Sequence, residues 1–232
     1  MNKEFKTVME YLKSIRDEYL EALYEFRVYQ ALRRLRAPNL FPKEKAEKNA
    51  AVMTRFVNFF GPVERSLFLS SLLGLARVFD ESDQSLHINS ILNYIGGNRK
   101  KLTREDFYEF NQGRQFLSDL YENYEGMTEK DLLSIKANLE KHKDVLEKLK
   151  SYRDQYLAHS DKRKDEIKIT FDEIETLFKL AEESLNLFTQ KLNDSSTMYS
   201  HIEDQCMGDT ESVLDFLDRF EPYRRKEIEK GL

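Results

Sequence analysis

Residues that interrupt regular secondary structure are rare in this sequence. The 232 residues include 8 glycines and 4 prolines, whereas a β-sandwich or barrel needs many more residues of these types at its turns. Apolar residues instead recur at steps of three and four over long stretches, which is the period of an α-helix. The chain is therefore predicted to be all-α, a helical bundle of about seven to eight helices.

Proline, glycine and capping residues place the ends of the predicted helices. Ala37-Pro38 and Phe41-Pro42 indicate a loop, because the residue before a proline disfavours the helical conformation. Gly61-Pro62 is predicted to break the chain and to begin a very apolar central helix, with Pro62 at its first position. The predicted helices cover residues 3–36, 43–60, 63–80, 86–95, 103–124, 128–158, 170–192 and 209–228.

The charge of the chain limits the ways in which it could contact nucleic acid. The net charge is −5 and the pI is about 5.6, so a general electrostatic attraction to RNA is not expected. A local basic patch could still form from Arg33–Arg36, Asn98–Lys101 or Lys162–Lys164. The alternative interpretation of each run is a solvated helix end or loop, since such runs are common on surfaces.

Composition also bears on cofactors and compartment. The single Cys206 excludes an internal disulfide framework and a zinc site built from several cysteines, and it suits a reducing compartment. The sequence has neither a His, Asp and Glu cluster with metal-ligand spacing nor a glycine-rich phosphate loop, so we expect no metal and no other cofactor. The first residues lack the apolar core of a signal peptide, and no apolar stretch is long enough to span a bilayer. We expect a cytoplasmic protein with no membrane contact.

The predicted helix over residues 128–158 has a heptad-like apolar seam that would pack on another helix, in the same chain or in a partner. The seam consists of Leu132, Ile135, Leu139, His142, Leu146, Leu149, Arg153 and Tyr156. A cation in a packed seam is costly unless it has a partner. We therefore expect Arg153 either to pair with a carboxylate or to line a cavity.

The end of this helix carries the residues best suited to chemistry: Arg153 and Asp154, followed by His159. Histidine can take or give a proton near neutral pH, and arginine holds a permanent planar charge that suits a phosphate. Together these residues fit RNA cleavage without a metal, in which Asp154 could orient either of the other two. The structural alternative is that Arg153 pairs with an acidic neighbour and that His159 caps the C-terminus of the helix.

The geometry of a regular helix separates the two catalytic candidates. Six helical steps place Arg153 and His159 about 120° apart around the axis. They could meet if the helix ends or bends near Ala158. A dimer would offer another solution, with two copies of the motif facing each other across a twofold axis.

The segment Arg153-Asp-Gln-Tyr-Leu-Ala-His-Ser-Asp161 resembles the signature of the HEPN superfamily, in which an arginine and a polar residue precede a histidine. More narrowly, it resembles the HEPN-like proteins of phage abortive infection, the AbiU type. The segments Ser71-Leu-Leu-Gly-Leu-Ala-Arg-Val-Phe-Asp80 and Ser85-Leu-His-Ile-Asn-Ser-Ile-Leu92 agree with this resemblance. It covers roughly residues 5–192, and the final helix lies outside it.

The resemblance implies a helical bundle, commonly dimeric, with Arg153 and His159 as the catalytic pair and Asp154 as the supporting polar residue. Residues 1–193 would form the HEPN-like helical domain, and residues 194–232 a loop with an appended helix. Many HEPN proteins are RNases, often toxins with a neutralising partner, so we expect a metal-independent endoribonuclease or toxin in phage defence. The expected partners are RNA, a second copy of the chain and an antitoxin protein. The alternative is a non-catalytic helical module for protein interaction.

Other polar residues have simpler interpretations. Arg77 and Asp80, three apart on one turn, are predicted to form an ion pair with each other, although they could also reach the motif and help bind a phosphate. His87 and His201 are predicted to be surface residues. His142 in the seam is predicted to be a core histidine whose hydrogen bonds are satisfied.

Overall fold

The computed structural model describes residues 1–82, 85–157 and 168–231. Within these ranges the chain is all-α, as predicted, with ten α-helices and no strand. The count is higher than predicted because two of the predicted helices are each divided in two. The helices are α1 (Lys3–Leu35), α2 (Lys43–Arg55), α3 (Val57–Val78), α4 (Ile88–Asn98), α5 (Arg104–Phe110), α6 (Leu117–Asn123), α7 (Glu129–Lys141), α8 (Lys143–Leu157), α9 (Phe171–Asn193) and α10 (Ser200–Glu229).

The helices form two compact units. The first unit contains residues 1–21 and 72–198, and the second contains residues 22–71 and 199–232. The sequence predicted a different division, into a domain of residues 1–193 and a C-terminal segment of residues 194–232. That division stays a prediction. In the part of the chain that is described, no helix is long and apolar enough to cross a membrane.

The first unit buries the apolar stripe of the N-terminal part of α1, where Phe5 meets Phe110 of α5 and Tyr19 meets Phe178 of α9. Tyr19 is almost fully buried, its hydroxyl donates to the carbonyl of Phe178 at 3.3 Å, and the two rings meet edge to face at 6.0 Å. The stripe on α1 recurs at the spacing that the sequence predicted. It consists of Phe5, Val8, Leu12, Ile15 and Tyr19.

The second unit has its own core, formed by α1, α2, α3 and α10. Its fully buried members are Leu32, Leu35, Val52, Met53, Phe60 and Leu214. The side chain of Asn49 is buried beside this core and donates to the carbonyl of Leu35 at 2.9 Å, which satisfies a backbone oxygen at the end of α1. Ion pairs between α2 and α10 border the core, from Lys45 to Glu211 and from Lys48 to Asp215 and Asp218.

The predicted break at Gly61-Pro62 is wrong. The chain leaves the helical conformation at Phe56, with φ −107° and ψ 35°, and Pro62 lies inside α3. Packing decides the position of the break, because Phe60 is buried in the core of the second unit and Phe56 packs against it. Inside α3, Pro62 removes one backbone hydrogen bond, and its ring also crowds the carbonyl four residues earlier.

The predictions for residues 103–124 and for the last helix also need correction. Gly113 and Phe116 take positive φ angles of 94° and 57°, and this turn separates α5 from α6. The last helix starts at Ser200 rather than at residue 209, because Ile202 and Cys206 are buried and hold this segment against the second unit. It continues to Glu229, one residue beyond the predicted end.

Candidate functional site

The helix that was predicted over residues 128–158 is interrupted at His142, and this interruption positions Arg153. His142 has φ −107° and ψ 18°, which ends α7 before α8 begins at Lys143. In α7 the predicted seam residues are buried: Leu132, Ile135 and Leu139. In α8 Leu149 of the predicted seam is buried as well, but its buried neighbours are Val145 and Tyr152 rather than Leu146 and Arg153. After the break the buried face is turned towards Val145 and Tyr152, which leaves Arg153 at its edge, 17% exposed.

Arg153 is held by two carboxylates. Its Nη1 donates to Asp80 Oδ1 at 2.8 Å, and its Nε donates to Asp154 Oδ1 at 2.9 Å. The Arg153 and Asp80 side chains are 17% and 19% exposed, whereas Asp154 is 53% exposed. The sequence predicted that Arg153 would pair with a carboxylate or line a cavity, and it does both.

The predicted ion pair between Arg77 and Asp80 is wrong. Arg77 pairs with Glu18 on α1, with Nε at 2.6 Å from Glu18 Oε1. Asp80 lies just beyond the end of α3, and its carboxylate contacts α8 instead. Residues three apart on a helix can pair, but here each side chain has a better-placed partner on another helix.

Asp80 is the best-anchored carboxylate of the site. Oδ1 accepts from the backbone N–H of Glu81 at 2.9 Å, and Oδ2 accepts from the Ser85 hydroxyl at 3.1 Å. Burial raises the pKa of Asp80, but the hydrogen bonds from Arg153, Glu81 and Ser85 outweigh it and hold the pKa at about 2. Asp80 therefore stays ionised and gives Arg153 a fixed counter-charge.

Arg153 lines an open cleft of about 580 Å³ in the first unit, between the end of α3, α4, α7 and α8. The cations at the cleft are Lys136, Lys143, Lys150 and Arg153, and the carboxylates are Asp80, Glu81, Glu140 and Glu147. Lys150 pairs with Glu81 at 3.3 Å, and Lys143 pairs with Glu140 at 3.5 Å. Lys136 has no ion-pair partner among the described residues. The cleft can thus offer cations to a phosphate, although its fixed charges are balanced.

The other site predictions have different outcomes. The structure brings Arg153 and Asp154 together, whereas His159 and the basic run Lys162–Lys164 lie outside the described residues. Among the described residues, no group of three His, Cys, Asp or Glu side chains could hold a metal ion. The run Arg33–Arg36 is engaged inside the second unit, where Arg34 pairs with Glu203 and Arg36 with Glu64.

Two polar residues near the site were interpreted wrongly or incompletely from the sequence. His87 was predicted to be a surface residue, yet it is 5% exposed and its Nδ1 accepts from the backbone N–H of Ser90 at 3.2 Å, which caps α4. Asp80 was considered for the motif but not as the partner of Arg153. The only signal in the sequence for this pairing was a carboxylate just beyond the end of an apolar helix. Carboxylates at such positions are common, so the signal does not identify a partner.

The whole sequence was also compared with known proteins. No curated protein and no solved structure matches the chain. The profile of the family HEPN_AbiU2, described as AbiU2, matches residues 5–216. The match covers most of the chain and extends into α10, beyond the limit of residue 192 that the motifs indicated. The chain therefore belongs to the AbiU2 family of HEPN-type proteins.

Proposed function

We propose that the protein is a metal-independent endoribonuclease, a toxin of the abortive-infection type, and that Arg153 and His159 are its catalytic pair. The main support is the Arg153 guanidinium, which Asp80 and Asp154 hold at the wall of an open cleft. Family membership supports the biological setting. A homodimer and an antitoxin protein belong to the same proposal, and they too are supported by the family.

In the proposed reaction the 2′-hydroxyl of one nucleotide attacks the adjacent phosphorus, and the bond to the 5′-oxygen breaks. The products are a 2′,3′-cyclic phosphate and a free 5′-hydroxyl. His159 takes the proton from the 2′-hydroxyl or gives one to the leaving 5′-oxygen. Arg153 stabilises the charge that builds on the non-bridging phosphate oxygens.

The contacts of Arg153 leave it able to bind a phosphate. A guanidinium has five N–H donors, and three nitrogen–oxygen contacts to Asp80 and Asp154 leave donors on both terminal nitrogens. Asp154 is the more exposed carboxylate, so an incoming phosphate can replace it on Arg153 while Asp80 keeps the guanidinium in place. Asp154 would then act as the supporting polar residue of the motif.

A non-catalytic module for protein interaction is the second candidate. This candidate predicts that Arg153 has a structural role as a member of an ion pair. The contact of 2.8 Å between Arg153 Nη1 and Asp80 Oδ1 favours it. The balanced charge of the cleft points the same way. The two candidates differ in whether the removal of Arg153 or His159 abolishes a chemical step.

The test is cleavage of RNA by the purified protein in the presence of a chelator, comparing the wild type with His159→Ala and Arg153→Ala. We expect each variant to lose about 10²–10⁴-fold in rate, the usual contribution of a general acid or base, and the wild type to yield cyclic phosphate ends. Arg77→Ala is the matched control, because it removes an arginine of the same unit that pairs with Glu18.

Equal cleavage by the wild type and His159→Ala would refute the assignment of the catalytic pair. Loss of cleavage on adding the chelator would refute the metal-independent mechanism. Wild-type protein without activity on a mixture of cellular RNAs, with normal folding, would favour the interaction module.

A further inference from the structure

The second half of α10 exposes a row of aromatic rings. Phe216, Phe220 and Tyr223 are 67%, 52% and 64% exposed, and their spacing of four and three residues places them on one face of the helix. The Phe216 and Phe220 rings lie 7° from parallel with centroids 6.3 Å apart, and the Phe220 and Tyr223 centroids are 6.1 Å apart. Contiguous exposed rings of this kind usually indicate a binding surface.

Two cations share this face. Arg219 follows Phe216 by three residues and Lys226 follows Tyr223 by three, so each projects beside a ring. Both are exposed, and neither has an ion-pair partner among the described residues. We call Phe216, Arg219, Phe220, Tyr223 and Lys226 the α10 aromatic face.

Most carboxylates of the same stretch are directed elsewhere. The one that shares the face, Glu227, pairs with Lys230 at 3.1 Å rather than with Arg219 or Lys226. Asp215 and Asp218 contact Lys48 at 3.7 and 3.2 Å. Glu221 is 8% exposed and accepts from Arg224 and Arg225, with Arg55 at 3.3 Å. The α10 aromatic face therefore carries positive charge, although the chain as a whole is acidic.

This charge distribution argues against a second copy of the chain as the occupant of the face. Two α10 helices that paired through the aromatic row would bring together two faces on which cations outnumber carboxylates, because Arg219, Lys226 and Lys230 share the face with Glu227. A partner with negative charge is complementary instead. A partner that also carries flat rings could stack them on the exposed aromatic side chains.

We propose that the α10 aromatic face binds single-stranded RNA, with bases stacked on Phe216, Phe220 and Tyr223 and phosphates contacted by Arg219 and Lys226. Stacking platforms bordered by cations are a general means of binding single strands without sequence preference. The choice of RNA rather than DNA rests on the proposed function. The face would hold a substrate strand, and it is not a catalytic site.

The test measures the affinity of a fluorescein-labelled single-stranded RNA with 2′-O-methyl groups, which cannot be cleaved because it lacks the attacking hydroxyl. We expect Phe216→Ala and Phe220→Ala each to weaken binding about tenfold. Phe59→Ala is the matched control, since Phe59 is a similarly exposed phenylalanine on α3 of the same unit, and it should change the affinity less than twofold. Arg219→Gln and Lys226→Gln should each lower the salt dependence, by about 0.7 in the slope of log affinity against log salt.

Equal affinity in the wild type and in Phe216→Ala/Phe220→Ala would overturn the proposal, as would equal or tighter binding of the matched DNA strand. Sedimentation provides a further check. If the wild type is a dimer that Phe216→Glu/Phe220→Glu converts to monomers with unchanged RNA affinity, the face is an interface between copies. Binding that depends on the α10 aromatic face in a protein without cleavage activity would sustain this proposal while refuting the proposed function.

Discussion

At the scale of single residues, the contact between Asp80 and Arg153 is the most informative one in the molecule. The two side chains are 73 positions apart in the sequence and 2.8 Å apart in the structure. Each is mostly buried, so neither charge can be fully hydrated if the other is removed. Removal of either side chain is therefore expected to destabilise the fold, and under the proposed function the pair also fixes the orientation of Arg153.

We expect Asp80→Asn and Arg153→Ala each to lower the free energy of unfolding by about 1–3 kcal/mol, less than for a fully buried pair. Urea denaturation at neutral pH measures this. Lys143→Ala is the control, because the Lys143–Glu140 pair is exposed and such pairs contribute at most about 1 kcal/mol. If both variants lose less free energy of unfolding than Lys143→Ala does, the Asp80–Arg153 pair is not important for stability.

The Asp80 carboxyl also predicts how stability depends on pH. Its pKa is about 2 in the folded protein, below its ordinary value of 3.8, so the unfolded chain takes up the proton first as the pH falls. The stabilisation is complete above about pH 4 and is lost as the pH falls towards 2, and it amounts to about 2 kcal/mol. Urea midpoints of the wild type and Asp80→Asn should therefore converge over this range. If the urea midpoints of the two proteins instead differ by the same amount over this range, Asp80 has an ordinary pKa.

At the scale of helices, local signals correctly placed several helix starts. Thr103, Thr128 and Thr170 each accept a hydrogen bond from a backbone N–H three residues later, at 3.2 Å. These contacts depend only on neighbouring residues, so the sequence is sufficient to predict them. Two interruptions inside long apolar patterns were not predicted because Phe56 and His142 leave the helical conformation without a glycine or proline at the break. The turn between α5 and α6 does contain a glycine, Gly113, and that signal was not used.

The cap of α9 can be tested with a matched pair of threonines. Thr170→Ala removes the hydroxyl that caps the helix and should lower the free energy of unfolding by about 1 kcal/mol. Thr176→Ala, in the second turn of the same helix, should be neutral or slightly stabilising, because alanine has the higher helix propensity. Thermal or urea denaturation compares the two. A similar effect of both substitutions would mean that the cap contributes little.

At the scale of the whole molecule, the single cysteine reports on opening of the structure. Cys206 is the only thiol in the chain, it is 5% exposed in the second unit, and burial raises its pKa. Both effects slow its reaction with thiol reagents, which attack the exposed thiolate.

We expect labelling of Cys206 with a disulfide reagent near pH 8 to be at least about 100-fold slower in the folded protein than in urea, because the reaction requires local opening. A small thiol under the same conditions controls for the reagent. A native rate close to that of the small thiol would show that the first turns of α10 open readily.

The sequence by itself determined the helical class, several helix starts and the family, because these depend on periodicity, on contacts between neighbours and on a motif. It also indicated that Arg153 needs a counter-charge or a cavity. Only the tertiary structure decided that the counter-charge is Asp80, that His142 divides the motif helix and that α10 begins at Ser200. These features depend on contacts between residues far apart in the chain, where burial and charge pairing outweigh the local preferences that a sequence pattern expresses.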